Sequence, residues 1–169
     1  MSRPERDEVL NLLRRIQGGC LGAHLILAGS SGVYGVSETV PAFTEDVDVL
    51  VDADWVASAE AMILEEMRSL GFTHQPGSPT FTAAEGLSLD LVGYSRRDAG
   101  DRIGGGKRLP VMVYGDLSRL LALRGATCIL PSGGMALTAA ALVVAKLLTV
   151  RLEKGSKLDA ESSAPERPA

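Results

Sequence analysis

Two aspartates separated by one valine, in Thr44-Glu45-Asp46-Val47-Asp48-Val49-Leu50-Val51, are the side chains in this sequence whose types and spacing most clearly could do chemistry. The segment has strong β character, and on a strand residues i and i+2 point to the same face, so Asp46 and Asp48 stand side by side while Val47 and Val49 face the opposite layer. Two adjacent carboxylates repel each other and raise one pKa unless a cation sits with them. Hard oxygen donors at that separation suit Mg2+, with Mn2+ as a substitute, because magnesium binds through a few carboxylates and the phosphates of its substrate. A third acid, Asp90, stands alone in the apolar run Leu87-Ser88-Leu89-Asp90-Leu91-Val92. If that strand pairs beside the first, three carboxylates meet, the arrangement needed where two metal ions activate an attacking hydroxyl and stabilise a leaving pyrophosphate.

A phosphate grip is the natural companion of such a cluster. The short apolar run His24 to Ala28 leads straight into Gly29-Ser30-Ser31-Gly32. It reads as a buried strand entering a tight turn. Glycine there lets the backbone approach a triphosphate, and Gly29, Ser30 and Ser31 offer N–H and hydroxyl donors to its oxygens. An Asp-x-Asp pair alone equally describes a solvated strand edge. The turn before it and the third acid after it favour the metal site. Other motifs carry less. Gly104-Gly105-Gly106-Lys107 lacks the first glycine and the following Ser or Thr of a phosphate-binding loop. His24 and His74 have no metal-ligand spacing and read as structural histidines. Cys20 and Cys128 form no CxxC pair and read as small buried hydrophobes.

These residues must be held by elements legible from periodicity. Apolar residues at helical spacing from Glu5 to about Gln17 predict an amphipathic helix stopped by Gly18 and Gly19. Phe43 to Val51 reads as a strand and Trp55 to Leu70 as a helix ending at Gly71. Short β-rich pieces follow at Phe72 to His74 and Thr80 to Ala83, with a clearer strand from Leu87 to Val92. Ser95 to Leu109 reads as an exposed loop. Val111 to Tyr114 and Ala126 to Leu130 read as strands flanking a helix over Asp116 to Leu123. Ser132 is expected to cap a last helix that reaches about Glu153. The chain is thus read as one domain over 1–155 with a polar, disordered tail over 156–169.

Composition narrows the function classes. Of 169 residues, 46% are hydrophobic but only 4% aromatic, which suits an aliphatic α/β-type core and disfavours a nucleic-acid reader built on stacking. Residues 1–90 hold 5 Lys+Arg against 14 Asp+Glu, and residues 91–169 hold 12 against 7. An acidic half to bind cations and a basic half to meet phosphates fit an enzyme acting on nucleotides. The net charge of -4 disfavours non-specific binding to long DNA. With no apolar run long enough for a bilayer and a charged N-terminus, the expected location is cytoplasmic, without membrane contact.

The order of strand, Gly-Ser turn, short helix with Tyr34-Gly35-Val36, Thr44-x-Asp46-x-Asp48 and a later lone Asp90 resembles the DNA polymerase β nucleotidyltransferase superfamily. Within it, the sequence is most similar to small bacterial members related to toxin components of the AbiE type, over roughly residues 22–159. The resemblance implies an α+β fold with a central mixed sheet flanked by helices. It implies Asp46 and Asp48 as metal ligands, Asp90 as a ligand or as the base for the incoming hydroxyl, and Ser30 as a donor to nucleotide phosphates. Lys146-Leu147-Leu148-Thr149-Val150-Arg151 matches the Lys-Leu-Leu-x-x-Arg context of such proteins, which implies that Lys146 contacts phosphate. The activity implied is transfer of a nucleoside monophosphate from a nucleoside triphosphate to a hydroxyl on RNA (tRNA included), a protein or a small molecule. For a toxin-like member, an antitoxin is the implied partner. Pro41-Ala42-Phe43 stands where many relatives carry a basic residue, and a non-catalytic binding or regulatory module of the same fold is the alternative.

Overall fold

Alternating and continuous apolar strands need cover on both sides, and the computed structural model provides it with helices on each face of one mixed sheet. It describes residues 6–29, 46–84, 86–98, 100–130 and 133–148. Along the chain run α1 (Arg6–Gln17), β1 (Leu25–Leu27), β2 (Asp46–Asp52), α2 (Ala53–Ser69), β3 (Phe72–His74), β4 (Thr80–Ala83) and β5 (Ser88–Tyr94). They are followed by β6 (Arg102–Gly105), β7 (Pro110–Val113), α3 (Gly115–Ala122), β8 (Thr127–Ile129), β9 (Met135–Leu137) and a helix, α4, over 139–148.

The strands lie in the order β3-β4-β5-β2-β1-β9-β8, with β7 joining β5 and β6 pairing with β7. The central pair β2 and β5 is parallel, whereas β1 meets β2 and β4 meets β5 antiparallel. Val47, Val49 and Val51 of β2 are fully buried on one face, with Leu89, Leu91 and Phe81 of neighbouring strands and Ile16 of α1. Across that face α2 lays Val56, Ala59, Ile63 and Met67, one helical stripe. The other face carries Ile26, Leu50 and Tyr94 under Leu117 and Leu120 of α3 and Ala141 of α4. Each of the Val, Leu, Ile, Met and Phe side chains among them contributes roughly 1.5–3 kcal/mol by leaving water, so the two layers fix which way every β2 residue points. Among the described residues no helix is long and apolar enough to cross a membrane.

Local chemistry sets the boundaries. Asp52 ends β2 and caps α2, its carboxylate accepting the N–H of Asp54 at 3.0 Å. Gly71, at φ 89°, ends α2 as expected. Two expectations are corrected. The segment 95–109 is not a plain loop: Arg102–Gly105 forms β6 against β7, Leu109 is fully buried, and Glu60 of α2 accepts the N–H groups of Arg108 and Leu109 at 2.6 and 2.8 Å. Glycines and arginines hid a strand whose partner is adjacent in sequence. The last helix begins later than expected, because Met135–Leu137 is β9, parallel to β1, and the N–H of Ala141 meets Thr138 Oγ1 at 3.4 Å. Ser132, the expected cap, lies outside the described residues, as do Tyr34-Gly35-Val36, Arg151 and the tail. Cys20 and Cys128 are free and half-buried. The Cys20 thiol is pushed up to about 12, first by burial and then by the Glu66 carboxylate beside it.

Candidate active site

The register of β2 against β5 places Asp48 directly beside Asp90, and Asp46 beside Ser88. On the far side of β5, β4 sets Thr80 opposite Asp90 and Thr82 opposite Ser88. Val47, Leu89 and Phe81 occupy the intervening position on all three strands and are buried on the α2 face. The acids and hydroxyls therefore form two cross-strand rows on the opposite face, Thr80-Asp90-Asp48 and Thr82-Ser88-Asp46. The conditional pairing that Asp90 required is present.

The turn after β1 comes to the same place. The N–H of Ala28 donates to the backbone carbonyl of Asp48 at 3.1 Å, and Gly29 adopts φ 54°, a left-handed conformation that favours glycine. A Cβ at Gly29 would collide with Asp48 Oδ2, so glycine is required by both backbone and space. Ser30 and Ser31, expected beside it as phosphate donors, lie outside the described residues.

Asp46 is exposed and Asp48 half-buried. Burial raises the Asp48 carboxyl above its ordinary range; Asp46 and then Asp90 raise it further, while Lys146 on α4 opposes them. Lys146 is exposed and reaches this cluster electrostatically, which brings the expected phosphate-contact lysine to the acids. The Thr80 hydroxyl donates to Asp90 Oδ1 at 2.5 Å. Sequence reading missed Thr80 because a threonine in a short β-rich piece is ordinary. Its role depends on the β4–β5 register, which no local motif encodes.

Among the described residues, no group of three His, Cys, Asp or Glu side chains is arranged to hold a metal ion by protein ligands alone. A nucleotide-borne magnesium asks for less, since it takes one or two carboxylates and fills its remaining positions with phosphate oxygens and water. Asp46 and Asp48 meet that requirement as hard donors on one face, in a cluster whose mutual repulsion a cation would relieve. A cavity of about 380 Å³ lined by Tyr94, Arg96, Arg97 and Arg119 lies past the far end of β5 and is lined by none of these acids.

No protein-family model matches the sequence, and no curated protein matches it. A crystal structure of a "putative nucleotidyltransferase" from Thermotoga maritima is similar in fold, with a TM-score of 0.56 at 17% identity over 94% of each chain. The shared feature is the fold, carried across nearly the whole length of both proteins.

Proposed function

We propose that this protein is a magnesium-dependent nucleotidyltransferase of the polymerase β-like fold, which transfers a nucleoside monophosphate from a nucleoside triphosphate to a hydroxyl. The observation that supports it is the register that sets Asp90 beside Asp48, on the face that carries Asp46 and adjoins Gly29. The fold likeness to the Thermotoga protein supports the same reading. Asp46 and Asp48 would hold the metal with the triphosphate, Gly29 lets the phosphates approach the strand end, and Lys146 faces the anionic cluster from α4. Bound magnesium would neutralise charge developing on the pyrophosphate. Asp90 accepts the proton of the attacking hydroxyl; the new bond forms from that oxygen to the α-phosphorus as the bond to pyrophosphate breaks. A toxin role with an antitoxin partner, and tRNA or protein as acceptor, belong to the same reading through resemblance alone.

Incubation with Mg2+, each labelled triphosphate and candidate acceptors tests the proposal. Expected is label transfer with pyrophosphate release, lost by at least about 100-fold in Asp46→Ala and Asp48→Ala. Transfer that persists in both variants would sink the assignment. One observation favours a second reading, a non-catalytic nucleotidyltransferase-fold module: no three acids are arranged as a ready cage among the described residues. Calorimetry that detects neither Mg2+ nor triphosphate binding would select it.

A further inference from the structure

The hydroxyl rows beside the acids run on into a cavity of about 480 Å³, lined by Thr73, His74, Gln75, Ser78, Thr80 and Thr82. Its volume lies in the range of roughly 300–1,000 Å³ typical of small-molecule sites. Thr73 pairs opposite Thr82 across β3 and β4, while Phe72 and Phe81 pack edge to face beneath, in the buried layer. The lining groups are held in place. The Thr73 hydroxyl donates to the Thr82 carbonyl at 3.1 Å, the Thr80 N–H donates to Ser78 Oγ at 3.1 Å, and His74 Nε2 lies 2.8 Å from the Ser78 carbonyl. Among the described residues, no carboxylate, ammonium or guanidinium lines the cavity. A phosphodiester chain would meet no cation among these lining residues, and the His74 ring, tilted against Phe81 at 4.9 Å, packs on that ring. Hydroxyls and an amide instead match a ligand that presents many hydroxyls of its own.

We propose that this cavity is the acceptor subsite, that it takes an uncharged, hydroxyl-rich small molecule of the sugar or cyclitol class, and that Thr80 is a positioning residue joining it to Asp90. This rests on the nucleotidyl-transfer reading. The Thr80 hydroxyl engages Asp90 Oδ1, which fixes the carboxylate and leaves Oδ2 to take the acceptor proton. The acceptor oxygen then bonds to the α-phosphorus and pyrophosphate departs with the electrons of the broken bond.

Two measurements on the full chain separate this proposal from the reading beneath it. In amide NMR, ribose and inositol are titrated as probes, and magnesium with a non-hydrolysable triphosphate is titrated separately. Expected are sugar-induced shifts at Thr73, Gln75 and Thr82, abolished by Thr82→Arg at an exposed position, and triphosphate-induced shifts at Asp46 and Asp48 in both proteins. Absence of the triphosphate shifts alone would overturn the transfer reading, whereas absence of the sugar shifts would overturn the subsite. In kinetics with the best sugar acceptor, Thr80→Val should lower kcat about 10- to 100-fold at an unchanged KM for triphosphate, with Thr80→Ser restoring it, the effect of one hydrogen bond to a charged group. Unchanged kcat in Thr80→Val overturns the positioning role, and acceptor use by Thr82→Arg equal to wild type overturns the subsite.

Discussion

Asp48 carries its charge where the sheet opposes it, half-buried between Asp46 on its own strand and Asp90 on the next. Burial first, and then the two neighbouring acids, raise its pKa above the ordinary 3.8, with Lys146 opposing. The folded protein therefore holds the Asp48 proton more tightly than the unfolded chain does. As pH rises from about 3.8 through the raised folded value, the unfolded chain ionises first and stability falls. At neutral pH and without metal, the ionised carboxylate is a net cost. Asp48→Asn is thus expected to raise the metal-free Tm at pH 7 by about 2 °C, a modest figure because the group is partly exposed and screened, and to remove its part of the acid-side slope. Thermal melts across pH 4–7 test this, and a Tm lowered by the substitution would refute the electrostatic account. The same residue shows what sequence makes legible. The i, i+2 spacing put Asp46 and Asp48 on one face without further help. Asp90 needed a strand pairing that the Leu87 to Val92 run made plausible but did not specify. Thr80 was invisible, because its value lies in facing Asp90 across a register set by distant contacts.

At the scale of elements, β4 holds Thr80 and Thr82, the hydroxyls of the proposed acceptor subsite, in place through its buried face. Phe81 is 1% exposed, and packs edge to face on Phe72 with ring centroids 6.5 Å apart. It alternates with Thr80 and Thr82, so the apolar contact beneath fixes the hydroxyls above. Phe81→Ala should cost about 3–5 kcal/mol by urea unfolding, the usual penalty for emptying a core aromatic site. It should also loosen the Thr80–Asp90 contact, whereas Thr82→Ser should leave stability within about 0.5 kcal/mol. A loss below about 1 kcal/mol for Phe81→Ala would show that β4 does not depend on this layer. Most elements were readable from periodicity because their apolar stripes are local: α2, β2 and β5 all follow it. The exceptions are β6 and β9. Arg102–Gly105 has no apolar alternation and becomes a strand through pairing with β7, while Met135–Leu137 is too short to tell from the start of a helix.

Across the whole molecule, the sheet separates a face covered by α1 and α2 from one on which α3 and α4 cover only part. The acids lie on that second face, where Lys146 approaches from α4. Metal and triphosphate would bind between the strand ends and this helix, and both belong to the folded state alone. Ligand binding must then stabilise the entire domain by mass action, about 2.7 kcal/mol at a ligand concentration one hundred times Kd. For a chain of 169 residues this corresponds to a Tm rise of about 5–10 °C with magnesium and a non-hydrolysable triphosphate together. The rise should vanish in Asp46→Ala and Asp48→Ala and shrink in Lys146→Ala, whose cation faces the cluster without holding the metal. It should be unaffected by Thr82→Arg, because Thr82 lies on β4 and is separated by β5 from Asp46 and Asp48 on β2. A Tm rise retained in Asp46→Ala and Asp48→Ala would place triphosphate binding elsewhere on the molecule, and the arginine-lined cavity past the end of β5 would then be the first place to test by substitution.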